Sequence, residues 1–287
     1  TNYWYRANGK SAIFTGAPDS TELFPRVYET LDPGCCIVAQ DERTGQIAGS
    51  CFYHPRPTHV SLGIMNVHPN YFGFGIARRL LQFIVDFADR EAKPLRLVSS
   101  AMNLDSFSLY TRAGFVPRAA YQDMFLDASK EKLQSALQKL PQYGRVRAAT
   151  TDDIEKIATL ETELGGISRG HDYEYFIRNE DGIWRVLVIE NQRGELDGYL
   201  ASVAHAGSNM LGPGIARRED DALALILSQL VQHPATPVFL VPVECATLVR
   251  ILYELGAKNC ELHFAQVRGA WTAPSGIVMP TFMPETG

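Results

Sequence analysis

Gly73 and Gly75 stand in the stretch VHPNYFGFGIARRLL, residues 67–81, where a strand end gives way to a loop and then to a helix start. Glycines there let backbone amides close round a ligand. The first N–H groups of a helix lack internal partners and its dipole is positive at that end, so loop and helix start together form an anion site. A phosphate-bearing ligand is the first expectation. A tight turn that binds nothing is the plain alternative, and a dinucleotide site is the rival. The rival fails on two counts: residues 69–72 intervene between strand and glycines, and the next strand ends on Ser99 and Ser100, where an acidic residue would be needed.

The elements that hold this loop follow from periodicity. Ile76, Leu80, Ile84 and Phe87 fall on one helical face and predict a helix running to Arg90 or Glu91, stopped before Pro94. Upstream, residues 12–14 read as a first strand and residues 22–31 as a helical piece interrupted by Pro25. Residues 35–55 read as a hairpin turning near Gly45, and residues 59–69 as the strand that feeds the loop. Downstream come a short strand, PLRLVSS, a helix over residues 103–115 capped by Gly114, and a closing strand over residues 119–126. A charged amphipathic helix, SKEKLQSALQKL, then leads to a boundary near Gly144.

The second half repeats this plan. GELDG at residues 194–198 answers GQIAG at 45–49, residues 211–231 answer the loop and helix, and PVFLVPV with a helix ending in ELGA answers PLRLVSS and RAGF. Thr151 and Asp152 would cap its first helix. The prediction is an α/β chain of two mixed β-sheet domains flanked by helices, residues 1–140 and 145–287.

The chain of 287 residues carries 27 Lys and Arg against 32 Asp and Glu. That balance argues against a nucleic-acid partner and favours cationic acceptors. Five cysteines without a CxxC pair indicate neither a disulfide framework nor a zinc site, and no metal is expected. The N-terminal TNYWYRANGK is no signal, and no apolar run suits a bilayer, so a cytoplasmic protein with no membrane partner, monomeric or homodimeric, is expected.

These residues resemble the GCN5-related N-acetyltransferases, the GNAT family. Its loop reads Q/R-x-x-G-x-G/A, and Phe72, Gly73, Phe74, Gly75, Ile76 and Ala77 occupy the six positions, preceded by Val67 and Pro69 and followed by Arg78. Phe72 replaces the expected polar residue. The family also places an Asn seven residues before a Tyr, with Gly-Phe beyond, and Asn103, Tyr110, Gly114 and Phe115 match. The resemblance covers residues 12–127 well and the second half more weakly, as in a tandem member with a degenerate C-terminal domain.

The resemblance implies acetyl-CoA as cosubstrate and transfer of its acetyl group to a primary amine, on a small molecule or peptide, by direct attack in a ternary complex. Loop amides would cradle the pyrophosphate, Arg78 could reach a phosphate, and Asn103 would contact pantetheine or an ordered water. Tyr110 would protonate the departing thiolate. An N–H near Val67, where the strand splays from its neighbour, could polarise the thioester carbonyl. An alkylammonium of pKa ~10.4 must first lose a proton, yet no base is legible; His54, His59, His68 and Asp105 are the candidates. Tyr173, Tyr175, Phe176, Trp184 and Trp271 are candidate walls of an acceptor pocket, with ordinary core packing an equal alternative. Residues 217–221, rich in acid where the second loop would lie, predict no second cofactor site. The alternatives are an acyl-CoA-binding sensor or scaffold without turnover, and an enzyme using a longer acyl chain.

Overall fold

The computed structural model describes residues 2–12 and 14–283. Its elements are α1 (Asn2–Ala7), α2 (Leu23–Leu31), β1 (Cys36–Gln40), β2 (Ile47–Pro55), β3 (Val60–Val67), α3 (Ile76–Arg90), β4 (Leu95–Ser100), α4 (Leu104–Arg112), β5 (Val116–Phe125) and α5 (Lys130–Gln138). The chain continues through β6 (Val146–Ala148), α6 (Ile154–Gly165), α7 (Gly170–Arg178), β7 (Trp184–Glu190), β8 (Leu196–His205), β9 (Ser208–Ala216), α8 (Glu219–Gln232), β10 (Val238–Pro242), α9 (Ala246–Leu255), β11 (Lys258–Arg268) and β12 (Ile277–Met279).

Among the described residues twelve strands form one mixed sheet in the order β1-β2-β3-β4-β11-β5-β10-β9-β8-β7-β6, with β12 paired to β9. β5 therefore does not close the sheet. It lies inside it, between β11 and β10, and β11 from the second half sits between β4 and β5. Burial accompanies this placement: β5 carries Tyr121 and Met124 on opposite faces and β11 carries Ala265 and Val267 on one face, all under 5% exposed. Three clusters fill the two faces. α3 and α4 cover β2–β4, α8 and α9 with α5 cover the second half, and α2, α6 and α7 share the opposite face.

The helix over α3 falls where its periodicity placed it, with Leu80, Leu81, Ile84, Val85 and Ala88 buried and Arg90 last. Pro25 does not interrupt α2, because it sits in the first turn, where its missing N–H has no helical partner to lose. Ala12 and Phe14 belong to no strand, and Ile13 between them lies outside the described residues. The cap of the second half is shifted by one residue: Thr150 and Asp153 form a reciprocal capping box. All five cysteines are free. Among the described residues no helix is long and apolar enough to cross a membrane.

Candidate active site

β3 and β4 run parallel and pair only at Val60 with Leu95 and Ser61 with Arg96. Beyond that point they diverge, which opens a gap that faces the loop and α3. On its other edge β3 stays paired with β2, and the His68 amide donates to the Ala48 carbonyl at 2.8 Å. Hydrogen-bonded pairs alternate along an antiparallel ladder, so the Val67 amide, one residue back, turns away from β2 and into the gap. A bulge sets this register, with Gly63 and Ile64 together opposite Phe52.

Gly73 and Gly75 have φ of +83° and +76°, in the left-handed region that side chains avoid, and nothing lies within 4 Å of where their β-carbons would be. Gly75 is the N-cap residue of α3. The loop is exposed, with Phe74 at 75%. Ile76 and Ala77 are half-buried, and Arg78 and Arg79 are exposed with no ion pair among the described residues. Phe72 lies edge-on to Tyr3 of α1 at 5.9 Å between centroids, so the residue that breaks the loop pattern anchors a helix instead of offering a polar contact.

Asn103 caps α4, its side-chain oxygen accepting from the Ser106 amide at 3.1 Å. Tyr110 is 7% exposed and packs with Phe115 in the cluster beneath α3. The four candidate bases scatter. His54 is buried and bonded through Nδ1 to Asp32 at 2.7 Å, and His59 is buried, with burial and then Arg96 holding its pKa far down. Asp105 is exposed in the first turn of α4. His68 alone faces a cleft.

That cleft, about 710 Å³, lies on the α2 face beside the gap. Asn2, Phe14, Phe24, Ser50, Phe52 and Asn66 line it with Val67 and His68 at one end, and every lining residue comes from residues 2–68. The aromatic walls expected from the second half are elsewhere. Tyr173, Phe176 and Trp184 are core residues at 5% exposure or less, Tyr175 packs against them, and Trp271 covers Arg96. The second half supports the cleft from behind: the turn between β8 and β9 meets the Ser20 carbonyl so closely at Gly207 that a β-carbon would collide.

Across the gap lies a group the sequence did not reveal. Asp123 on β5 and Glu261 and His263 on β11 share a face beside Ser100 of β4, with potential ligand atoms all within 4.8 Å of one another. The imidazole sits between the carboxylates, Nδ1 3.7 Å from Asp123 and Nε2 3.9 Å from Glu261. A single metal ion would take one imidazole nitrogen, so this arrangement suits proton exchange better than coordination. The Ser100 hydroxyl donates to Glu261, as does the Tyr5 hydroxyl of α1 at 3.1 Å. Burial and then the charge of Glu261 push Asp123 up to about 7, burial raises Glu261, and burial pulls His263 down to about 4. The one visible signal was the alternation of Glu261 and His263 along a strand; their meeting with Asp123 depends on strand pairing between the halves.

The second half has a matching divergence, since β9 and β10 pair only at Met210 with Val238 and Leu211 with Phe239. There β12 fills the gap by pairing with β9 at residues 214–216. Asp221, fully buried in the first turn of α8, is held by Arg218 at 3.0 Å and Arg145 at 3.3 Å, and Glu219 accepts from the Leu248 amide at 2.5 Å. Cys245 stands at the N-cap of α9 without a side-chain capping bond, where Asn103 caps α4.

Comparison with known proteins agrees with this geometry. UPF0157 protein YqkA of Bacillus subtilis (strain 168) is 34% identical over 73 residues, which are 25% of this chain and 21% of that protein, so the chain spans about a fifth of its length. A candidate acetyltransferase of Pyrococcus horikoshii shares the fold with a TM-score of 0.71 at 16% identity, over 92% of this chain and 86% of its own. A tandem GNAT protein from the clavulanic acid biosynthesis pathway does so with a TM-score of 0.59 at 14% identity, over 93% of each chain. With the acetyltransferase (GNAT) family matching residues 4–115 directly, the segment that carries the loop, the gap and Tyr110 belongs to that family, in a chain that has the tandem GNAT fold.

Proposed function

We propose that the chain is an acyltransferase that moves an acetyl group from acetyl-CoA to a primary amine, with the cosubstrate held only in the first half. The observation that carries this reading is the open gap between β3 and β4, with the Val67 amide turned into it and the glycine loop at its mouth. Loop amides and the start of α3 hold the pyrophosphate, assisted by Arg78, and the Val67 amide donates to the thioester oxygen as charge develops there. The amine enters from the cleft beside Asn66. Glu261 removes its ammonium proton, a role suited to a carboxyl whose pKa burial has raised. The nitrogen attacks the carbonyl carbon, the carbon–sulfur bond breaks, and Tyr110 protonates the thiolate. Residues 1–140 and 145–287 act as two GNAT-like units that exchange a strand, the second lending Glu261 and His263 to the first.

A binding-only sensor is the second reading, favoured by Phe72 in place of a polar residue and by Asn103 being engaged as a cap. Calorimetry with acetyl-CoA, followed by a thiol-release assay over a panel of amines, separates the two. Binding with turnover of at least one amine is expected. Absence of acetyl-CoA binding would sink both readings, and tight binding without turnover would leave the sensor.

A further inference from the structure

A cavity of about 20 Å³ lies on the α6 face of the sheet, beneath the segment that follows β11. It is separate from the cleft and the gap. Arg96 of β4 and Tyr121 of β5 reach it from the first half, and Glu161 of α6, Arg169 and Trp271 from the second. Arg96 is 7% exposed, with its guanidinium over the Trp271 ring at 4.9 Å. Among the described residues it makes no ion pair and no hydrogen bond, and the Tyr121 hydroxyl makes none either, both keeping a small residual exposure at the mouth of the cavity. Arg169, 3% exposed, spends Nε on Glu161 at 3.0 Å and Nη2 on Tyr199 at 3.1 Å, while its Nη1 has no hydrogen-bond partner.

The charges do not balance. Glu161 lines the cavity but neutralises Arg169, and the Tyr199 hydroxyl donates to the same carboxylate at 2.8 Å, so its oxygens are engaged. Arg96 is left over. Burial lowers its pKa to about 10, which still leaves it charged at neutrality. A buried, unpaired charge is costly, and so is a buried N–H without an acceptor. One anion would answer both.

We propose that this cavity binds a small monovalent anion of chloride size, held by the Arg96 guanidinium, the free Arg169 Nη1–H and the Tyr121 hydroxyl. Its volume is that of about one water-sized group, too little for phosphate. Apolar walls at Ile167, Ile215 and Met279 suit a weakly hydrated ion, and Trp271 closes the site. Because the donors come from β4, β5 and the segment before α7, the anion pins the first half to the second.

The test uses sodium bromide titrated into sodium gluconate at constant ionic strength, since gluconate is too large to enter. The thermal midpoint is expected to rise saturably with bromide, and diffraction at the bromine edge should show an anomalous peak within hydrogen-bond reach of Arg96 and Tyr121. Arg96→Met should make the midpoint insensitive to bromide. Should that variant fail to fold, Tyr121→Phe carries the comparison, with a half-saturating bromide concentration several-fold higher. Equal midpoints in bromide and gluconate, an unchanged response in either variant, or no peak in the cavity would overturn the proposal.

Discussion

Glu261 and Asp123 are neighbouring carboxyls with different tasks. Glu261 is held by the hydroxyls of Ser100 and Tyr5, while Asp123 has no hydrogen-bond partner for Oδ1. Replacing the proposed base, Glu261→Gln, should lower kcat by roughly 10²-fold or more, leave acetyl-CoA affinity unchanged, and abolish the acidic limb of the pH profile; an unchanged profile would assign the proton elsewhere. For Asp123 the folded pKa of about 7 lies above the ordinary aspartate value of 3.8, so folding favours the protonated form. Its contribution is complete below the unfolded pKa and is lost as pH rises through 7. Asp123→Asn should thus raise the thermal midpoint at pH 8 by roughly 3 °C or more, with little effect at pH 4. Equal gains at both pH values would point to packing rather than ionisation.

At the scale of elements, loop and α3 form one device. Open space around Gly75 means that a side chain there meets no clash, only the left-handed backbone and the ligand. Gly75→Glu should therefore leave a folded protein, judged by circular dichroism, whose acetyl-CoA affinity has fallen at least about tenfold, or ~1.4 kcal/mol. Retained affinity would place the ligand away from the loop. The contrast within the chain supports the assignment: the same strand divergence recurs between β9 and β10, but there a third strand occupies it and buried acid sits at the helix start. One divergence is open to a ligand, the other closed by the chain itself.

Over the whole molecule, the exchange of β5 and β11 makes the halves interdependent, and a buried ion network reinforces the junction. Arg56, 3% exposed, bonds Asp32 of the first half at 2.7 Å and Asp172 of α7 at 3.0 Å. Arg56→Met would leave two carboxylates buried without their cation and should cost roughly 3–5 kcal/mol in urea unfolding. A loss below ~1 kcal/mol would mean that His54 and His171 alone satisfy them.

The repeat, the helix faces and the glycine loop were legible in the sequence because each rests on local periodicity or on the backbone freedom of single residues, as at Gly73, Gly75 and Gly114. The register of the exchanged strands was not. β5 read as a closing strand and β11 was not read as a strand at all, and nothing local tells a strand which non-adjacent neighbour it will pair with. Hence Asp123, Glu261 and His263, up to 140 residues apart in the chain, were invisible as a group, and the sequence left Tyr173, Phe176 and Trp184 open between pocket walls and core, since a buried aromatic and a lining one have the same composition. The sequence by itself determined the loop and its helix, because those are properties of contiguous backbone. Only the tertiary structure decided which gap stays open, which acid faces it and which arginine is left without a partner, because burial and charge balance exist only once distant strands are side by side.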